Sequence, residues 1–260
     1  VGRVVASKRP GFAECDIVSG MKGWRDCWIS DSSDVRRIDP ALAPIEAHLG
    51  VLGMPGMTAY VGLLHIAEMK EGETVFVSGA AGAVGSVVCQ IARIRNGRVI
   101  ASAGSDEKTR WLREQAGVEH AFNYKTVDSI LGELRRFAPD GVDVYFENVG
   151  GDHLDAALRN MADFGRIAVC GMISRYNEEH APPGPGSIHM LIASRIRMQG
   201  FLVRDHERLY EPFVADMSRW IAEGRVKWKE TVVEGLENAP KAVIGLFHGE
   251  NLGKMLVRIA

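Results

Sequence analysis

A glycine-rich turn that joins an apolar run to a helix-like pattern is the first feature that could carry chemistry. Residues 73–79 read ETVFVSG and the next six read AAGAVG, so that Gly79, Gly82 and Gly85 recur at intervals of three. Gly82 and Gly85 occupy the second and third positions of the dinucleotide fingerprint, and Ala80 replaces its first glycine. The second glycine lets a pyrophosphate approach the backbone, the third lets helix and strand pack closely, and free N–H groups at the helix start attract the anion. The turn therefore predicts a dinucleotide site, although a tight turn needs glycine for conformational reasons alone.

The tip of the following strand bears on which dinucleotide would bind. NAD sites usually place an acidic residue there, about 20 residues past the turn, whereas this sequence has Ala-Gly-Ser at 103–105. Lys108 lies just beyond, at the start of the next helix, and a cation beside a helix N-terminus suits a ribose 2′-phosphate. We therefore predict NADP(H) rather than NAD(H). The alternative is that Lys108 is a solvated lysine paired with Asp106 or Glu107.

Side chains at four other strand ends could line the same crevice. They are Tyr124 after the third strand, Asn148 after the fourth, Cys170 and Gly171 after the fifth, and Phe201 after the sixth. Taken singly, each has a structural explanation: Asn148 could cap the next helix, and Tyr124 could pack on a sheet edge. Because the carboxyl ends of parallel strands share one edge of a sheet, together they predict the rim of one ligand crevice.

The elements that position these residues alternate between strand and helix patterns. Apolar runs predict strands at 73–79, 98–104, 120–125, 142–150, 165–174 and 196–203, and apolar spacing of three or four predicts helices at 83–94, 105–117, 127–137 and 152–163. Near-continuous apolar strands are typical of a parallel sheet that is covered on both faces. The predicted fold class is therefore α/β, with a Rossmann-type doubly wound parallel sheet.

The two flanks of this unit have a different pattern. Residues 1–57 carry short strand-like pieces, and residues 204–260 alternate helices with strands predicted at 226–233 and 253–260. We predict a partial β-rich domain over 1–57, a dinucleotide-binding domain over 58–203, and a return to the β-rich domain over 204–260. Because the first residues, VGRVVAS, already have the pattern of a strand within a fold, we expect the β-rich domain to be N-terminally truncated.

Composition and charge narrow the class of protein. The chain has 260 residues, 46% of them hydrophobic, and a net charge of −2, without the basic balance typical of nucleic-acid binding. No apolar run reaches the ~18 residues of a membrane span. The four cysteines, at 15, 27, 89 and 170, form no C-x2-C pair and have no zinc-like spacing. We therefore predict a cytoplasmic protein with free thiols, no bound metal, and no nucleic-acid or membrane partner.

Eight short motifs occur in a fixed order along the chain. They are GVLGMPGMTAYVGL, AAGAVGS, GSDEK, FNYK, ENVGG, GRIAVCGMISRYN, PPGP and GENLGKMLVRIA. This series resembles the zinc-independent medium-chain dehydrogenase/reductase superfamily, and within it the prostaglandin reductase (leukotriene B4 12-hydroxydehydrogenase) group, which includes plant double-bond reductases and the bacterial curcumin reductase type. The resemblance implies a GroES-like catalytic domain split around the Rossmann domain, and commonly a homodimer. It also implies NADPH-dependent reduction of the C=C bond of α,β-unsaturated ketones and aldehydes.

The resemblance also implies which residues hold the cofactor. The backbone at Gly82, Ala83 and Val84 would cradle the pyrophosphate, and Lys108 and Tyr124 would bind the 2′-phosphate end. The complete implied set of cofactor-binding residues is Thr58, Gly82, Ala83, Val84, Gly85, Lys108, Tyr124, Asn148, Cys170, Gly171, Met172, Ile173, Tyr176, Phe201, Leu202, Val203 and Asn251.

Two tyrosines are candidates for a catalytic donor. Hydride transfer to the β-carbon of an enone would leave negative charge on the carbonyl oxygen, which a hydrogen-bond donor stabilises. Tyr176, in the loop after the fifth strand, is the first candidate and Tyr60 is the second. The alternatives are that Tyr176 packs on the proline-rich segment 181–186 or on the cofactor, and that a ribose hydroxyl of the cofactor is the donor. The length and the Pro/Gly content of the loop at 174–188 predict a lid.

Two other functions are compatible with the same residues. A quinone oxidoreductase would use the same cofactor and pass its electrons to a ring quinone. A non-catalytic dinucleotide-binding protein could share the fold, because fold alone does not determine function. Turnover of quinones alone would indicate the first of these, and cofactor binding without turnover would indicate the second.

Overall fold

The computed structural model describes residues 1–180 and 182–259. Its N-terminal part contains a three-stranded antiparallel sheet of β1 (Gly2–Arg3), β2 (Ile17–Gly20) and β3 (Val35–Arg37), in the order β1-β2-β3. A 3-10 turn at Ile45–Leu49 leads into helix α1 (Met54–Val61), which continues as a π-helical turn at Gly62–Ile66. These short strands are the β-rich part of the predicted fold.

The central feature is a six-stranded, entirely parallel sheet. Its strands are β4 (Thr74–Val77), β5 (Arg98–Ala103), β6 (His120–Asn123), β7 (Val142–Glu147), β8 (Met161–Val169) and β9 (Arg197–Gly200). They lie side by side in the order β6-β5-β4-β7-β8-β9. The direction of winding therefore reverses between β4 and β7, and such a switch point is where open α/β sheets bind their ligands. The predicted doubly wound α/β fold is confirmed.

Helices cover both faces of this sheet. They are α2 (Gly85–Ile94), α3 (Asp106–Glu114), α4 (Ile130–Phe137), α5 (Gly151–Leu158) and the short α6 (Met190–Ala193). Successive residues of β4 point to opposite faces, so that Val77 packs in one apolar cluster with α2 and Phe76 packs in the other with α4 and α5. Helix α3 begins at Ser105, whose Oγ accepts the Lys108 N–H (3.3 Å), and this cap fixes the strand tip against the helix.

The start of β8 differs from the prediction. The helix predicted over 152–163 ends at Leu158, and the strand begins at Met161 rather than at Gly165. Phe164 adopts a left-handed backbone inside the strand (φ +61°), and the register with β7 shifts in the same region. This irregularity interrupts the alternation of side chains. Because the side chains of the first half of β8 do not alternate, its sequence does not show a strand pattern, and it predicts instead that the helix continues to 163.

The end of β8 also differs from the prediction. The strand ends at Val169 rather than at Ser174, because hydrogen bonds to the end of β7 form a turn there. The N–H groups of Cys170 and Gly171 both donate to Glu147 O, at 2.9 and 3.1 Å. These two hydrogen bonds to one carbonyl oxygen form a turn, and the residues after it lie along the crevice instead of extending the strand.

The C-terminal part adds two helices and a small second sheet. After a 3-10 turn at Val203–Leu209, its elements are α7 (Tyr210–Ala222), β10 (Glu230–Glu234), a 3-10 turn at Leu236–Asn238, α8 (Ala239–His248) and β11 (Lys254–Arg258). Among the strands that the structure describes, β10 and β11 pair in parallel with each other and not with β1–β3. The division into three segments with limits at 57 and 203 stays a prediction. Within residues 1–180 and 182–259, none of the helices combines the length and the apolar character needed to cross a membrane.

Candidate functional site

The glycine turn after β4 brings backbone atoms unusually close together. Gly79 has a left-handed φ of +59°, and the Ala80 N–H donates to Ser102 O of β5 (2.9 Å). A Cβ atom on Gly85 would lie 2.5 Å from Gly79 O, so glycine is needed there for α2 to begin against the strand end. A Cβ atom on Gly82 would meet Gly79 O at 3.3 Å and no other atom within 4 Å. The second glycine thus faces open space and the third faces the strand, which is the division of roles in the fingerprint.

The two residues between this turn and α2 present free N–H groups. Ala83 and Val84 are half-buried, and no acceptor in the described part of the chain takes up their N–H groups. They directly precede the N-terminus of α2, where the helix dipole adds partial positive charge. Free N–H groups at the start of a helix form an anion site.

A C-terminal segment lies against the same turn. The Gly253 N–H donates to Ala81 O (2.8 Å), and Gly253 forms an isolated parallel bridge with Gly82. Asn251 Nδ2 donates to Gly253 O (2.8 Å), which holds the half-buried Asn251 side chain in this segment. The structure thus brings Asn251 near Gly82, although the two residues are distant in sequence.

Two lysines and a tyrosine meet at the tip of β5. A Cβ atom on Gly104 would lie 3.1 Å from Tyr124 OH and 3.4 Å from Lys125 Cε, so both side chains cover this tip. Lys108 Nζ donates to Gly249 O (2.6 Å). Burial, and then the nearby charge of Lys125, lower the pKa of Lys108. Within residues 1–180 and 182–259, neither lysine forms a salt bridge.

Lys125 is absent from the residues predicted for the site. It directly follows Tyr124 in the motif FNYK, so a second cation beside a predicted phosphate ligand was the available signal. The alternative pairing of Lys108 with Asp106 or Glu107 is not formed as a salt bridge within the described residues, although the charge of Glu107 acts on Lys108. Asp106 Oδ1 instead accepts a hydrogen bond from Asn123 Nδ2 (2.9 Å). Two cations without carboxylate partners at one strand tip suit a dianionic phosphate.

Asn148 follows β7 and is held by the end of β4. Its N–H donates to Ser78 Oγ (3.0 Å), and its Nδ2 donates to Ser78 O (2.8 Å). Helix α5 begins after Gly150 without a side-chain cap, so the alternative role of Asn148 as a helix cap is not found. The Asn148 side chain is half-buried at the switch point of the sheet.

The residues that follow β8 are tied to the same place. The Ile173 N–H donates to Asn148 O (3.2 Å), and the Ser174 N–H donates to Val149 O (3.0 Å). These bonds align the Cys170–Tyr176 segment with the end of β7. Two sets of predicted cofactor residues, which are separate in sequence, therefore form one wall of the crevice.

Tyr176 presents its hydroxyl group on this wall. The Met172 N–H donates to Tyr176 OH (3.1 Å), and a Cβ atom on Gly171 would lie 2.9 Å from the same oxygen. The Tyr176 side chain is 60% exposed. The oxygen accepts one backbone N–H, and no acceptor within residues 1–180 and 182–259 takes up its proton. The Tyr176 proton can therefore be donated to a bound group. In this loop it is Arg175 that bonds the proline-rich segment, through Nη2 to Pro183 O (3.2 Å).

Tyr60 lies in a different environment. Its ring is buried against Phe213 and Trp220 of α7, and its hydroxyl donates to Asp216 Oδ2 (3.0 Å). Burial, and then the carboxylate of Asp216, raise the pKa of Tyr60 to about 12. The Tyr60 proton is thus engaged between two helices, and the geometry favours Tyr176 as the donor.

The remaining predicted contacts lie on α1 and after β9. Thr58 Oγ1 donates to a carbonyl of its own helix (2.8 Å). Phe201 packs against the π-helical turn, where a Cβ atom on Gly62 would lie 2.5 Å from the Phe201 ring. Leu202 is exposed, and Val203 is half-buried. The chain after β9 therefore offers apolar side chains at the same edge of the sheet.

A cavity of about 570 Å³ opens beside Tyr124, between the start of α4 and one side of α5. The segment Pro183–Gly186 of the predicted lid forms part of its wall. Ser187 N–H donates to Asp155 Oδ1 of α5 (2.8 Å), which anchors the end of that loop. Residue 181 of the predicted packing segment for Tyr176 lies outside the described residues, and motion of the lid stays a prediction.

The cysteines form no disulfide in the part of the chain that the structure describes. All four are free thiols, and no group of three or more His, Cys, Asp or Glu side chains there could hold a metal ion. Burial raises the pKa values of Cys89 and Cys170 to about 12, so both are protonated thiols near neutral pH. Cys170 thus borders the crevice as a neutral group and not as a nucleophile.

Comparison with known proteins agrees with this geometry. Residues 83–219 match a protein family described as zinc-binding dehydrogenase. The chain is 46% identical to 2-alkenal reductase (NADP(+)-dependent) of Nicotiana tabacum, over 100% of this chain and 76% of that protein. It is 45% identical to prostaglandin reductase 1 of Rattus norvegicus, over 99% of this chain and 79% of that protein.

A solved structure supports the same relationship. The fold matches the crystal structure of CurA in complex with NADPH from Vibrio vulnificus, with a TM-score of 0.91, 40% identity, and coverage of 99% of this chain and 78% of that chain. Identity above 40% along almost the entire chain, together with the family match, shows common descent and not only a shared fold. The chain therefore belongs to the medium-chain dehydrogenase/reductase superfamily, in the group that contains prostaglandin reductase and 2-alkenal reductase.

Proposed function

We propose that this protein reduces the C=C bond of α,β-unsaturated ketones and aldehydes with NADPH, by hydride transfer to the β-carbon. The observation that carries the proposal is the 46% identity along the whole chain to an enzyme named 2-alkenal reductase (NADP(+)-dependent). Curcumin reductase of Escherichia coli, which is named as NADPH-dependent, is 40% identical over 100% of this chain. Both names describe reductases that depend on the same dinucleotide, NADP(H).

The residues present fit NADPH at two separate points. The free N–H groups of Ala83 and Val84 suit the pyrophosphate, and the open space in front of Gly82 lets it approach. Lys108 and Lys125, which lack carboxylate partners in the described chain, suit the 2′-phosphate. NADH lacks that phosphate, so the second point supports NADPH as the cofactor.

The proposed donor to the substrate carbonyl is Tyr176. When bound, NADPH supplies the hydride that reduces the double bond. Tyr176 OH would hydrogen-bond the carbonyl oxygen, where negative charge develops as the β-carbon accepts the hydride. The Met172 N–H that donates to Tyr176 OH polarises the phenol and makes it a better donor. The ribose hydroxyl stays the alternative donor.

The proposal extends to assembly and location. We propose a homodimer that forms through the Rossmann domain. Strand β9 supports it because, among the strands of residues 1–180 and 182–259, β9 pairs only with β8 and lies at the edge of the sheet. We propose a cytoplasmic location, which the four free thiols support. The substrate is a small molecule, as for the reductases named above.

The experiment that tests the function measures consumption of NADPH and NADH with four acceptors: an alkenal, an alkyl vinyl ketone, a bulky aromatic enone and a ring quinone. The proposal expects turnover of enones or alkenals with NADPH. Turnover of the quinone alone would move the function to quinone oxidoreductase. Tight NADPH binding without turnover of any acceptor would indicate a non-catalytic dinucleotide-binding protein.

A further inference from the structure

A buried acidic side chain lies at the switch point and has no part in the reaction described so far. Glu147 is the last residue of β7 and is fully buried. Its Oε1 accepts hydrogen bonds from Ser78 Oγ (2.9 Å) and from the Val149 N–H (2.6 Å), whereas Oε2 has no partner within the described chain. No basic side chain of residues 1–180 and 182–259 pairs with it. Burying a carboxylate in this way is costly, so the carboxylate calls for a specific explanation.

Glu147 determines the orientation of one hydroxyl group. Ser78 is fully buried at the end of β4, and its single O–H proton is given to Glu147. Its oxygen accepts hydrogen bonds from Tyr145 OH (3.1 Å) and from the Asn148 N–H (3.0 Å). A serine hydroxyl has one proton and two lone pairs. Every hydrogen-bonding capacity of Ser78 Oγ is therefore used, and its direction is fixed.

Ser78 holds Asn148 at two points: its Oγ accepts the Asn148 N–H and holds the Asn148 backbone, and its main-chain carbonyl orients the Asn148 amide. Asn148 Nδ2 donates to Ser78 O (2.8 Å), and a carbonyl oxygen can only accept. The NH2 group of Asn148 must therefore face β4, and Oδ1 must face away from it. Asn148 is half-buried, and nothing in the described chain donates to this oxygen. The amide thus presents an acceptor at the rim of the crevice.

We propose that the side chains of Glu147 and Ser78 are positioning groups that hold the Asn148 backbone in place. The amide, which the Ser78 carbonyl orients, then presents Oδ1 to the crevice as an acceptor for a hydroxyl group of the bound dinucleotide. The inference rests on the proposed function, because it requires a ribose hydroxyl at this place. It assigns a role to two residues that contact no cofactor themselves. It also explains why a costly carboxylate is buried directly beneath the predicted cofactor residue.

The test compares variants of the network with a matched serine. The variants are Ser78→Ala, Glu147→Ala, Glu147→Gln and Asn148→Ala. The control is Ser102→Ala, because Ser102 is equally buried on the adjacent strand β5 and its Oγ has no partner. The measured quantities are the Kd for NADPH, from quenching of tryptophan fluorescence, and the unfolding temperature without cofactor.

The expected result is a selective loss of binding. Ser78→Ala removes the acceptor of the Asn148 N–H, and Glu147→Ala releases the Ser78 hydroxyl, so each should displace Asn148 and weaken its hydrogen bond to the dinucleotide. Each should raise the Kd for NADPH about tenfold, and Ser102→Ala should change it less than about twofold. Glu147→Gln keeps an oxygen for Ser78 and should rescue most of the loss seen with Glu147→Ala. If the substitutions only loosened the core, the rise in Kd would parallel the drop in unfolding temperature, and Glu147→Gln would not restore NADPH binding.

A double-mutant cycle decides whether these residues act through Asn148. In the Asn148→Ala background, Ser78→Ala should add less than about twofold to the Kd. Additive losses, or a Kd for Ser78→Ala equal to that of the control, would overturn the inference. If Ser78→Ala does not fold, the cycle of Glu147→Ala with Asn148→Ala gives the same decision. Failure of the unmodified protein to bind NADPH would contradict the proposed function instead, so the two failures are distinguishable.

Discussion

Replacing Lys108 by alanine should separate the two dinucleotides, by weakening the binding of NADPH and leaving that of NADH almost unchanged. Lys108 Nζ lies 2.6 Å from Gly249 O and beside Lys125, and it forms no salt bridge within the described chain, although the charge of Glu107 acts on it more weakly than that of Lys125. The lysine is therefore held in place by a neutral acceptor, and no carboxylate is in direct contact with its charge. A 2′-phosphate would supply that compensation, and a 2′-hydroxyl would not.

The expected change in Kd follows from the strength of the hydrogen bond that Lys108 would form with the 2′-phosphate. A hydrogen bond between charged groups contributes about 1.5–3 kcal/mol, which corresponds to about a 10-fold to 100-fold change in Kd. The bond to Gly249 O competes with the phosphate, and the Lys108 side chain is only partly buried and is screened by solvent, so the lower part of that range is expected. We expect the Kd for NADPH to rise about 10-fold to 30-fold in Lys108→Ala. The Kd for NADH should change by less than about twofold.

The assay is a direct titration of both dinucleotides at fixed and then at raised ionic strength. Lys125→Ala should give a smaller loss in the same direction, and Lys70→Ala is the matched control, because Lys70 is exposed and precedes β4 at the opposite end of the sheet. Salt should weaken NADPH binding more in the unmodified protein than in Lys108→Ala. Equal losses for NADPH and NADH would refute the reasoning, because they would mean that Lys108 acts only by holding the segment at Gly249.

Three further predictions concern single residues. Gly171→Ala places a Cβ atom 2.9 Å from Tyr176 OH. Gly171→Ala and Tyr176→Phe should each lower kcat about tenfold, with little added loss in the double variant; additive losses would contradict a shared cause. Burial lowers the pKa of His153 from 6.5 to about 4, so the folded state binds fewer protons than the unfolded state between these values, and stability should fall as pH falls from 6.5 to 4. His153→Phe should remove about 3 kcal/mol of this dependence, as measured by denaturant unfolding across that range, and an unchanged slope would contradict it. Cys15 and Cys27 are exposed and should react rapidly with a thiol reagent at neutral pH, whereas the other two cysteines should react only on unfolding; a third fast thiol would disprove this.

The sheet and the glycine turn could be predicted from the sequence because their signals are local. Parallel strands buried on both faces are continuous apolar runs, and the turn needs Gly82 and Gly85 at fixed positions. The start of β8 could not be predicted, because Phe164 takes a left-handed backbone that no local pattern announces. Lys125 could have been predicted, since it stands next to Tyr124 in the sequence.

The polar contacts of the site depend on tertiary structure and could not be predicted. The hydroxyl of Tyr60 bonds Asp216, 156 residues away, and that bond distinguishes Tyr60 from Tyr176 as a donor. Ser78 and Glu147 are 69 residues apart, and only strand pairing brings them together. A sequence indicates which side chains lie at strand ends, but the fold decides which of them share a proton.

The most direct test of the central claim follows the hydride itself. The protein is incubated with an alkyl vinyl ketone and NADPH that carries deuterium at C4, on either face of the ring in turn, and the product is examined by NMR. The account predicts a saturated ketone with deuterium on the former β-carbon, from one of the two labelled cofactors. Deuterium on the carbonyl carbon, as in an alcohol product, or no deuterium in any product, would contradict it.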